Sequence, residues 1–224
     1  MNLLAIETAT ETVSVALSMD GQLLERFEHA PRKHAELLLP WVQSILAEAE
    51  IGFSAVDAIA FSRGPGSFTS LRIGIGIVQG LAWASDRPVV PISSLAATAQ
   101  SAVSAGVRSA LVALDARMNE FFTGAFELND NGVMQAVEEE KVCPPGDVCL
   151  AGTDKTFGLG IGFARYPELN SLVDQLQGVK PDTWPRASSV ITLAQDWLSR
   201  NEALPAEQAQ PVYLRNNIAK KPQT

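Results

Sequence analysis

Residues 60–84 read AFSRGPGSFTSLRIGIGIVQGLAWA, and the fold of the surrounding chain is built on this stretch. A β-type run over 58–61 leads into a glycine–proline–glycine turn at 64–66, and a helical pattern follows over 70–84. Strands that turn directly into helices are typical of α/β proteins. We therefore predict an α/β fold in which this strand, turn and helix form the central unit.

The glycine turn has two interpretations. Backbone N–H groups at the start of a helix can hold an anion, but a turn of this kind is also simply how a strand leads into a helix. The lysine and serine or threonine of a P-loop are missing. The turn and the end of the first predicted strand still supply weak candidates for a nucleotide site. These candidates are Glu7, Thr8, Arg63, Gly64 and Gly66.

The helix over 70–84 contains three glycines that a helix does not favour. Each costs roughly 0.8–1 kcal/mol relative to alanine in a helix interior. At 100° per residue, Arg72, Gly76, Gly80 and Trp83 share one face of this helix. Two explanations are open: close packing inside the domain, or a groove for a helix of a partner protein.

A second helical pattern covers residues 32–49 and is more apolar than one buried face requires. Its core face includes Leu38 and Leu39, while Leu37 and Trp41 lie to one side and widen the apolar arc. A surface helix needs an apolar stripe of only about 100°. The extra part is covered either within the domain or by a partner.

Composition excludes several classes of protein. The chain has 224 residues and a net charge of −8, which argues against a nucleic-acid binder that works alone, so any RNA contact would be local or supplied by a partner. The first residues lack the basic segment of a signal peptide. The two cysteines, Cys143 and Cys149, and the two histidines, His29 and His34, do not suggest a metal site or a disulfide framework. We expect a cytoplasmic protein without a bound metal and without a membrane span.

The strand order repeats along the chain. The first part begins with a strand over 3–7 that ends in an acid, followed by a polar turn and another strand. The same order returns at 111–115 and 120–127, after a boundary at Gly106. We therefore predict two lobes built on one plan, an N-terminal lobe over 1–105 and a C-terminal lobe over 106–224.

Five motifs together resemble one known family. They are IETAT at 6–10, HAELLLP at 34–40, GPGSFTSLRIG at 64–74, PISSL at 91–95 and PVYLR at 211–215. The chain is similar over essentially its whole length to the TsaB (YeaZ) family, the bacterial accessory proteins of tRNA threonylcarbamoyladenosine synthesis. The resemblance implies the actin-like ATPase fold of sugar kinases and Hsp70, with two lobes that each carry a mixed sheet flanked by helices.

The resemblance also implies how the family differs from its paralogue, the transferase TsaD. TsaD has two metal-binding histidines that align with Ser94 and Thr98 here, and hydroxyls are poor substitutes for imidazole. The glycine-rich phosphate turn of TsaD corresponds to residues 115–119, DARMN, which contain no glycine. Neither the metal ligands nor the second phosphate turn of the transferase is therefore expected in this chain.

In the family, the two helices pack against the equivalent helices of TsaD and can also form a homodimer. The candidate interface residues are Leu37, Trp41, Arg72, Gly76, Gly80 and Trp83. The resemblance implies a non-catalytic activator of TsaD that works with the ATPase TsaE on tRNAs reading ANN codons. ATP, metal and most of the tRNA contact would belong to the partners. The alternative is an actin-fold ATPase or a peptidase, which calorimetric titration with ATP would help to separate from an activator.

Overall fold

The computed structural model describes residues 1–148 and 155–215, which form two mixed sheets flanked by helices. The first sheet contains Leu3–Glu7 (β1), Thr12–Met19 (β2), Gln22–His29 (β3), Ala58–Gly64 (β4) and Val89–Ser93 (β5). Its order is β3-β2-β1-β4-β5. The first three strands pair antiparallel, and β4 and β5 continue the sheet in parallel to β1.

The second sheet repeats this arrangement. Its strands are Ser109–Arg117 (β6), Glu120–Leu128 (β7), Met134–Ala136 (β8), Lys141–Cys143 (β9), Phe157–Leu159 (β10) and Gly178–Lys180 (β11). Its order is β11-β10-β6-β7-β8, and β9 also pairs with β7. As in the first sheet, the first strand lies at the centre, with antiparallel strands on one side and parallel strands on the other. The predicted repeat of one strand order is therefore present in the structure.

The helices cover both sheets. They are His34–Glu48 (α1), Phe68–Ser85 (α2), Ser94–Ser101 (α3), Gly162–Arg165 (α4), Asn170–Val173 (α5) and Ala187–Leu198 (α6). One face of the first sheet packs on α1 and α2, and the other packs on α6. The second sheet packs on α3 at one face and on α4 and α5 at the other. The fold of two sheets with flanking helices agrees with the predicted actin-like class.

Strand β1 is central because it is apolar on both faces. Leu4 and Ile6 point to the core under α1 and α2, while Leu3 and Ala5 point to the core under α6. All four are at most 1% exposed. Burying a leucine or isoleucine side chain stabilises a protein by roughly 1.5–3 kcal/mol, which explains a continuous apolar run in a strand covered on both sides.

The packing units are not contiguous in sequence. Helix α6 follows the second sheet in the chain but packs on the first sheet. The chain then continues along the first lobe, where Val89 pairs with Leu204 and Ala209 joins the first core. The division into lobes at 105/106 therefore stays a prediction. The hydrophobic cores of the first sheet combine segments from both sides of that boundary.

The sequence offers Ser67 or Thr69 as the cap of α2 and Ser93 or Ser94 as the cap of α3. Ser67 is the N-cap residue of α2, but its side chain makes no capping hydrogen bond. Ser93 does cap α3, because its hydroxyl accepts hydrogen bonds from the N–H groups of Leu95 and Ala96. The glycine content of residues 152–162 also predicts an ordinary loop, but the described part of this segment contains strand β10 and the start of α4. Within residues 1–148 and 155–215, no helix is both long and apolar enough to cross a membrane.

The glycines of α2 have different surroundings. A Cβ atom on Gly74 would overlap the side chain of Thr8, which is buried. A Cβ atom on Gly76 or Gly80 would meet no atom within 4 Å. Gly74 thus allows the first loop of the chain to approach the helix, and close packing inside the protein does not explain the other two.

We expect Gly74→Ala and Gly76→Ala to change stability in opposite directions. Overpacking against Thr8 should lower the free energy of unfolding by about 1–3 kcal/mol in the first variant. The second variant fills open space on an exposed helix and should raise it by about 0.5–1 kcal/mol. Urea denaturation of both variants beside the unaltered chain measures the difference, and equal effects would contradict this description of the helix.

Candidate functional site

Four of the predicted interface residues form an exposed face of α2. Arg72, Gly76, Gly80 and Trp83 are all exposed, and Trp83 is 70% exposed. The two glycines lie between the larger side chains and leave a shallow depression, because no atom lies within 4 Å of the place that a Cβ would occupy on either of them. We call this face, defined by these four residues, the glycine face.

Helix α1 contributes less to this surface than its periodicity predicts. Leu37 and Trp41 are only partly buried, and both pack against the core of the first lobe. Leu39, which the helical pattern assigns to the core face, is 44% exposed instead. The apolar excess of α1 therefore reaches the surface mainly at Leu39, next in sequence to Pro40 inside the helix.

The glycine turn holds the first loop of the chain. A Cβ atom on Gly66 would overlap the carbonyl oxygen of Ala9, so only glycine allows this approach. The N–H of Ser67 donates a hydrogen bond of 2.7 Å to the same oxygen. At the start of α2, a backbone N–H that could have bound an anion is thus used by the chain itself.

The other nucleotide-site candidates lie around this contact rather than in an open pocket. Glu7 and Thr8 are buried, with exposures of 0% and 2%. Gly64 has a φ of +98°, and a Cβ there would come within 3.1 Å of Val212 and Leu71. Arg63 is partly buried, and its carbonyl oxygen accepts a hydrogen bond from the N–H of Val212. Of the five candidates, Gly66 lines the cleft between the lobes.

Glu7 is an ionisable group enclosed in the core. Its Oε1 accepts a hydrogen bond of 2.6 Å from the N–H of Ala9, whereas its Oε2 is buried without a hydrogen-bond partner. Burial raises the pKa of Glu7 to about 7, although the Ala9 N–H partly opposes this effect. The Glu7 carboxyl group therefore holds the first loop through Ala9 and titrates near neutral pH.

A cleft of about 1040 Å³ separates the lobes, and ion pairs cross it. Glu11 follows β1 in the first lobe, and Arg165 ends α4 in the second. Their closest N–O distance is 2.9 Å, and Arg165 also forms an ion pair with Asp115 at the end of β6. Arg117 lies 3.4 Å from Glu11 and so adds a second contact between the lobes.

The carboxylates in this network are held in their ionised form. Burial alone would raise the pKa of Asp115, but hydrogen bonds from Tyr166, the Arg117 N–H and Arg165 lower it below its usual range. Burial also opposes the shift of Glu11, whose pKa is lowered mainly by Arg165. Burial and the hydrogen bond to Asp115 raise the pKa of Tyr166 to about 12. The network therefore stays ionic at neutral pH.

The turn between β6 and β7 is shaped without glycine. Arg117, Met118 and Asn119 have φ values of 63°, 58° and 57°. Met118 and Asn119 form the tip of a two-residue hairpin, a position for which such left-handed residues are required. Side chains therefore project from the turn that the family resemblance aligns with the phosphate turn of TsaD.

The histidines are not arranged as catalytic bases. His34 is buried, and its Nε2 lies 3.0 Å from the carbonyl oxygen of Thr10. Burial lowers its pKa. His29 lies 3.7 Å from Glu11, and the centre of its ring lies 5.4 Å from that of Trp184 at a tilt of 53°. Among the residues that the structure describes, neither histidine is hydrogen-bonded to a hydroxyl or thiol side chain.

Ser94 and Thr98, which the family resemblance aligns with metal ligands of TsaD, are buried in α3. The hydroxyl of Thr98 donates to the carbonyl oxygen of Ser94, whose own hydroxyl has no partner within the described part of the chain. No three His, Cys, Asp or Glu side chains come together as a metal site in residues 1–148 and 155–215. Cys143 is buried in the core between the second sheet and helices α4 and α5. Cys149 lies outside the described residues.

Sequence patterns do not indicate several residues that shape the cleft. Glu11 and Arg165 are 154 positions apart, and Arg72 donates a hydrogen bond of 3.1 Å to Tyr213, 141 positions away. Periodicity contains no signal for such pairs. The polar turns that follow β1 and β6 are the one feature that could have pointed to this place.

The fold and the cleft define an actin-like, two-lobed α/β protein. The polar groups of the loops that face the cleft are bound by other groups of the same chain. The TsaD family model, described as tRNA N6-adenosine threonylcarbamoyltransferase, matches residues 28–223. The tRNA threonylcarbamoyladenosine biosynthesis protein TsaB of Escherichia coli is 38% identical, over 99% of this chain and 97% of that protein. TsaB of Haemophilus influenzae is 36% identical, over 99% and 96%.

A solved structure agrees with these sequences. YeaZ from Pseudomonas aeruginosa superposes with a TM-score of 0.85 at 41% identity, over 95% of this chain and 99% of that chain. The chain belongs to the TsaB (YeaZ) family of tRNA threonylcarbamoyladenosine biosynthesis proteins. The family expected from the sequence motifs is therefore confirmed.

We expect the contribution of Glu7 to the stability of the protein to fall as pH rises through the titration of this group. Because its pKa is raised from 4.5 to about 7 in the folded state, the folded protein favours the protonated form. The stabilisation contributed by Glu7 is therefore fully present below about pH 4.5 and is lost progressively up to and beyond pH 7. Glu7→Gln, which keeps an oxygen for the Ala9 N–H, should remove about 2–3 kcal/mol of this dependence between pH 5 and 8.

Urea denaturation of both proteins across this pH range measures the effect. The difference in unfolding free energy between Glu7→Gln and the unaltered chain should shift in favour of the variant as pH rises. A difference that is independent of pH would show that Glu7 does not titrate in this range.

Proposed function

We propose that this chain is a non-catalytic subunit that binds and activates a TsaD-type transferase. The complex would form N6-threonylcarbamoyladenosine in tRNAs that read ANN codons, with TsaE as the ATPase that acts on the TsaB–TsaD pair. ATP and metal would be bound by the partner subunits, and the protein would act in the cytoplasm. The glycine face of α2 is the main support for this proposal.

The two glycines of the glycine face destabilise the helix, and no contact within the isolated chain offsets this loss of stability. Glycine in a helix interior costs roughly 0.8–1 kcal/mol relative to alanine, and two such residues stand at Gly76 and Gly80. Neither accommodates a neighbouring atom of this chain. A partner helix that approached its backbone closely at these positions would offset the cost, which favours the second of the two explanations that the sequence left open.

Large exposed side chains beside the glycines support an interface. Trp83 is 70% exposed on the same face, and Leu39 on the neighbouring helix α1 is 44% exposed. Tryptophan and arginine dominate the energy of many protein interfaces, and Arg72 stands at the other end of the glycine face. Leu37 and Trp41, which are partly buried, would lie at the edge of this interface and support it from the core side.

Similarity to TsaD explains why a TsaD-type protein is the proposed partner. The TsaD family model matches most of this chain, which supports a shared fold in which TsaD would carry equivalents of α1 and α2. Two such helix pairs can meet about a pseudo-twofold axis, as two copies of one protein do in an isologous dimer. The same surface would therefore form a homodimer in the absence of the partner.

The cleft supports a role without catalysis of its own. The first loop is held by the glycine turn through Ala9, and Arg165 joins Glu11 to Asp115 across the space between the lobes. The turn after β6 projects Met118, which is 69% exposed, where TsaD has glycines. These groups stand where the resemblance would place the phosphates of a nucleotide.

We expect substitutions on the glycine face to weaken the heterodimer while the fold is retained. Gly76→Leu places a branched side chain in the depression, and Trp83→Ala removes the largest exposed apolar group. Each should raise the dissociation constant for TsaD about 30-fold or more, the effect of losing a contact of about 2 kcal/mol. Calorimetric titration of TsaD with each variant measures the change.

The matched control is Leu23→Ala, which removes an exposed apolar side chain from β3 at the edge of the first sheet. It should leave the affinity unchanged. Thermal unfolding of each variant shows whether the fold is intact. If folded Gly76→Leu and Trp83→Ala bind TsaD as tightly as the control does, the glycine face is not the interface.

A further inference from the structure

Exposed apolar side chains are concentrated at the cleft between the lobes. The described residues include eight large hydrophobic side chains that are exposed, and three of them, Phe68, Met118 and Tyr213, line this cleft. Their exposures are 45%, 69% and 40%. Exposed aromatic groups around a concave site are characteristic of binding rather than of an ordinary surface.

The cleft is also basic, although the chain as a whole has a net charge of −8. Arg32, Arg117, Arg165 and Arg215 line it, against two carboxylates, Glu11 and Asp115. Arg165 and Arg117 each contact both carboxylates and together balance their charge. Within residues 1–148 and 155–215, Arg32 has neither an ion pair nor a side-chain hydrogen bond, and the side chain of Arg117 is 71% exposed. Arg32 is therefore an uncompensated cation, and Arg117, although paired with Glu11 and Asp115, remains exposed to a ligand.

The aromatic groups are held in place by their neighbours. The rings of Phe68 and Tyr213 lie 5.5 Å apart at an angle of 34°. The guanidinium of Arg72 lies 3.8 Å from the centre of the Phe68 ring, and its Nε donates to the hydroxyl of Tyr213. Arg72 thus covers one face of Phe68, and a planar group that stacked on Tyr213 and the exposed remainder of the Phe68 ring would meet a surface that is already ordered.

Residues 212–215 join both sides of the cleft. The N–H of Val212 donates a hydrogen bond of 2.8 Å to the carbonyl oxygen of Arg63 in the first lobe. Arg215 forms an ion pair with Glu120 and donates a hydrogen bond to the carbonyl oxygen of Arg117 in the second lobe. The segment that carries Tyr213 is thus fixed on both sides of this residue. Tyr213 lies between Phe68 of the first lobe and Arg117 of the second.

We infer that the cleft binds an unpaired nucleotide of an RNA loop. The base would stack on Phe68 and Tyr213, and the adjoining phosphates would contact Arg32 and Arg117. We call these four residues the cleft rim. Stacking on aromatic side chains combined with cations along the backbone is the chemistry that recognises single-stranded nucleic acid. It gives the local RNA contact that an acidic chain can make while its overall charge opposes binding.

This inference rests on the proposed function, because the RNA would be delivered by the partner. Phe68 and Arg72 lie in the first turns of α2, and the glycine face continues along the same helix. An RNA loop held by a partner on that face would therefore reach the cleft rim. An unpaired nucleotide beside the anticodon fits the class of substrate on which the TsaB family acts.

The test uses the complex of this chain with its TsaD and a fluorescein-labelled anticodon stem-loop RNA. Arg32→Gln/Arg117→Gln should weaken binding about 10-fold at moderate salt and reduce the slope of log K against log salt by about 1.4. Tyr213→Leu should weaken it about 5-fold or more through lost stacking. Fluorescence anisotropy over a salt series measures both effects.

The matched control is Arg108→Gln/Arg200→Gln, which removes the same charge from two exposed arginines that do not line the cleft. Arg108 precedes β6 and so stands at the opposite end of that strand from Asp115. This variant should bind RNA within about 2-fold of the unaltered complex. Equal losses in the cleft-rim and control variants, or no loss in the cleft-rim variants, would overturn the inference.

Two further readouts distinguish loss of RNA binding from loss of the complex and from binding of a free nucleotide. Light scattering shows whether each variant still assembles with TsaD. If no complex forms with the unaltered chain, the proposed function fails, and the same RNA titration on this chain alone at low salt tests the cleft. Displacement of the RNA by free AMP or ATP at comparable concentration would assign the site to a free nucleotide and overturn the RNA contact.

Discussion

The contact between the carbonyl oxygen of Ala9 and the start of α2 fixes much of the remaining structure. Ser67 donates its N–H to this oxygen, and glycine at position 66 is required because any side chain there would overlap it. Further along the helix, Gly74 leaves room for Thr8. The first loop, the glycine turn and the helix are thereby locked into one unit, and the direction of α2 follows from it.

This unit connects the cleft with the proposed partner surface. Because the first loop contacts the start of α2, the N–H of Ser67 is not available to a phosphate. The next residues of the loop place Glu11 beside Arg165 across the cleft. Because the helix is fixed at this end, its glycine face is presented outward over Gly76 and Gly80. An actin-like fold is thus retained while the chain itself uses the backbone donor at the start of α2, and the glycine face is left open for the proposed partner.

The sequence predicted the elements that follow from local patterns. Strand β1 and helices α1 and α2 were predicted within a few residues because apolar periodicity and the glycine turn define them. Strands β10 and β11 are three residues each, too short for a period, and pairing with β6 and with one another is what orders them. Helix α6 shows an apolar face in the sequence, but nothing local indicates that it packs on the sheet of the other lobe.

The site was predictable only in part, for a related reason. Exposure of Arg72 and Trp83 follows from the helical wheel, whereas the exposure of Leu39 depends on how α1 lies on the sheet. The ion pairs of Glu11 and the contacts of Tyr213 join residues more than 100 positions apart, so they exist only in the folded chain. Long-range contacts of this kind leave no trace in the spacing of residue types.

Light scattering on a gel-filtration column, for this chain alone and mixed with its TsaD, would show whether the glycine face is a shared interface. We expect a homodimer of the chain alone that is replaced by a discrete 1:1 heterodimer, because both assemblies would use the glycine face. A homodimer that persists beside unbound TsaD would contradict a shared surface and the role of an activating subunit.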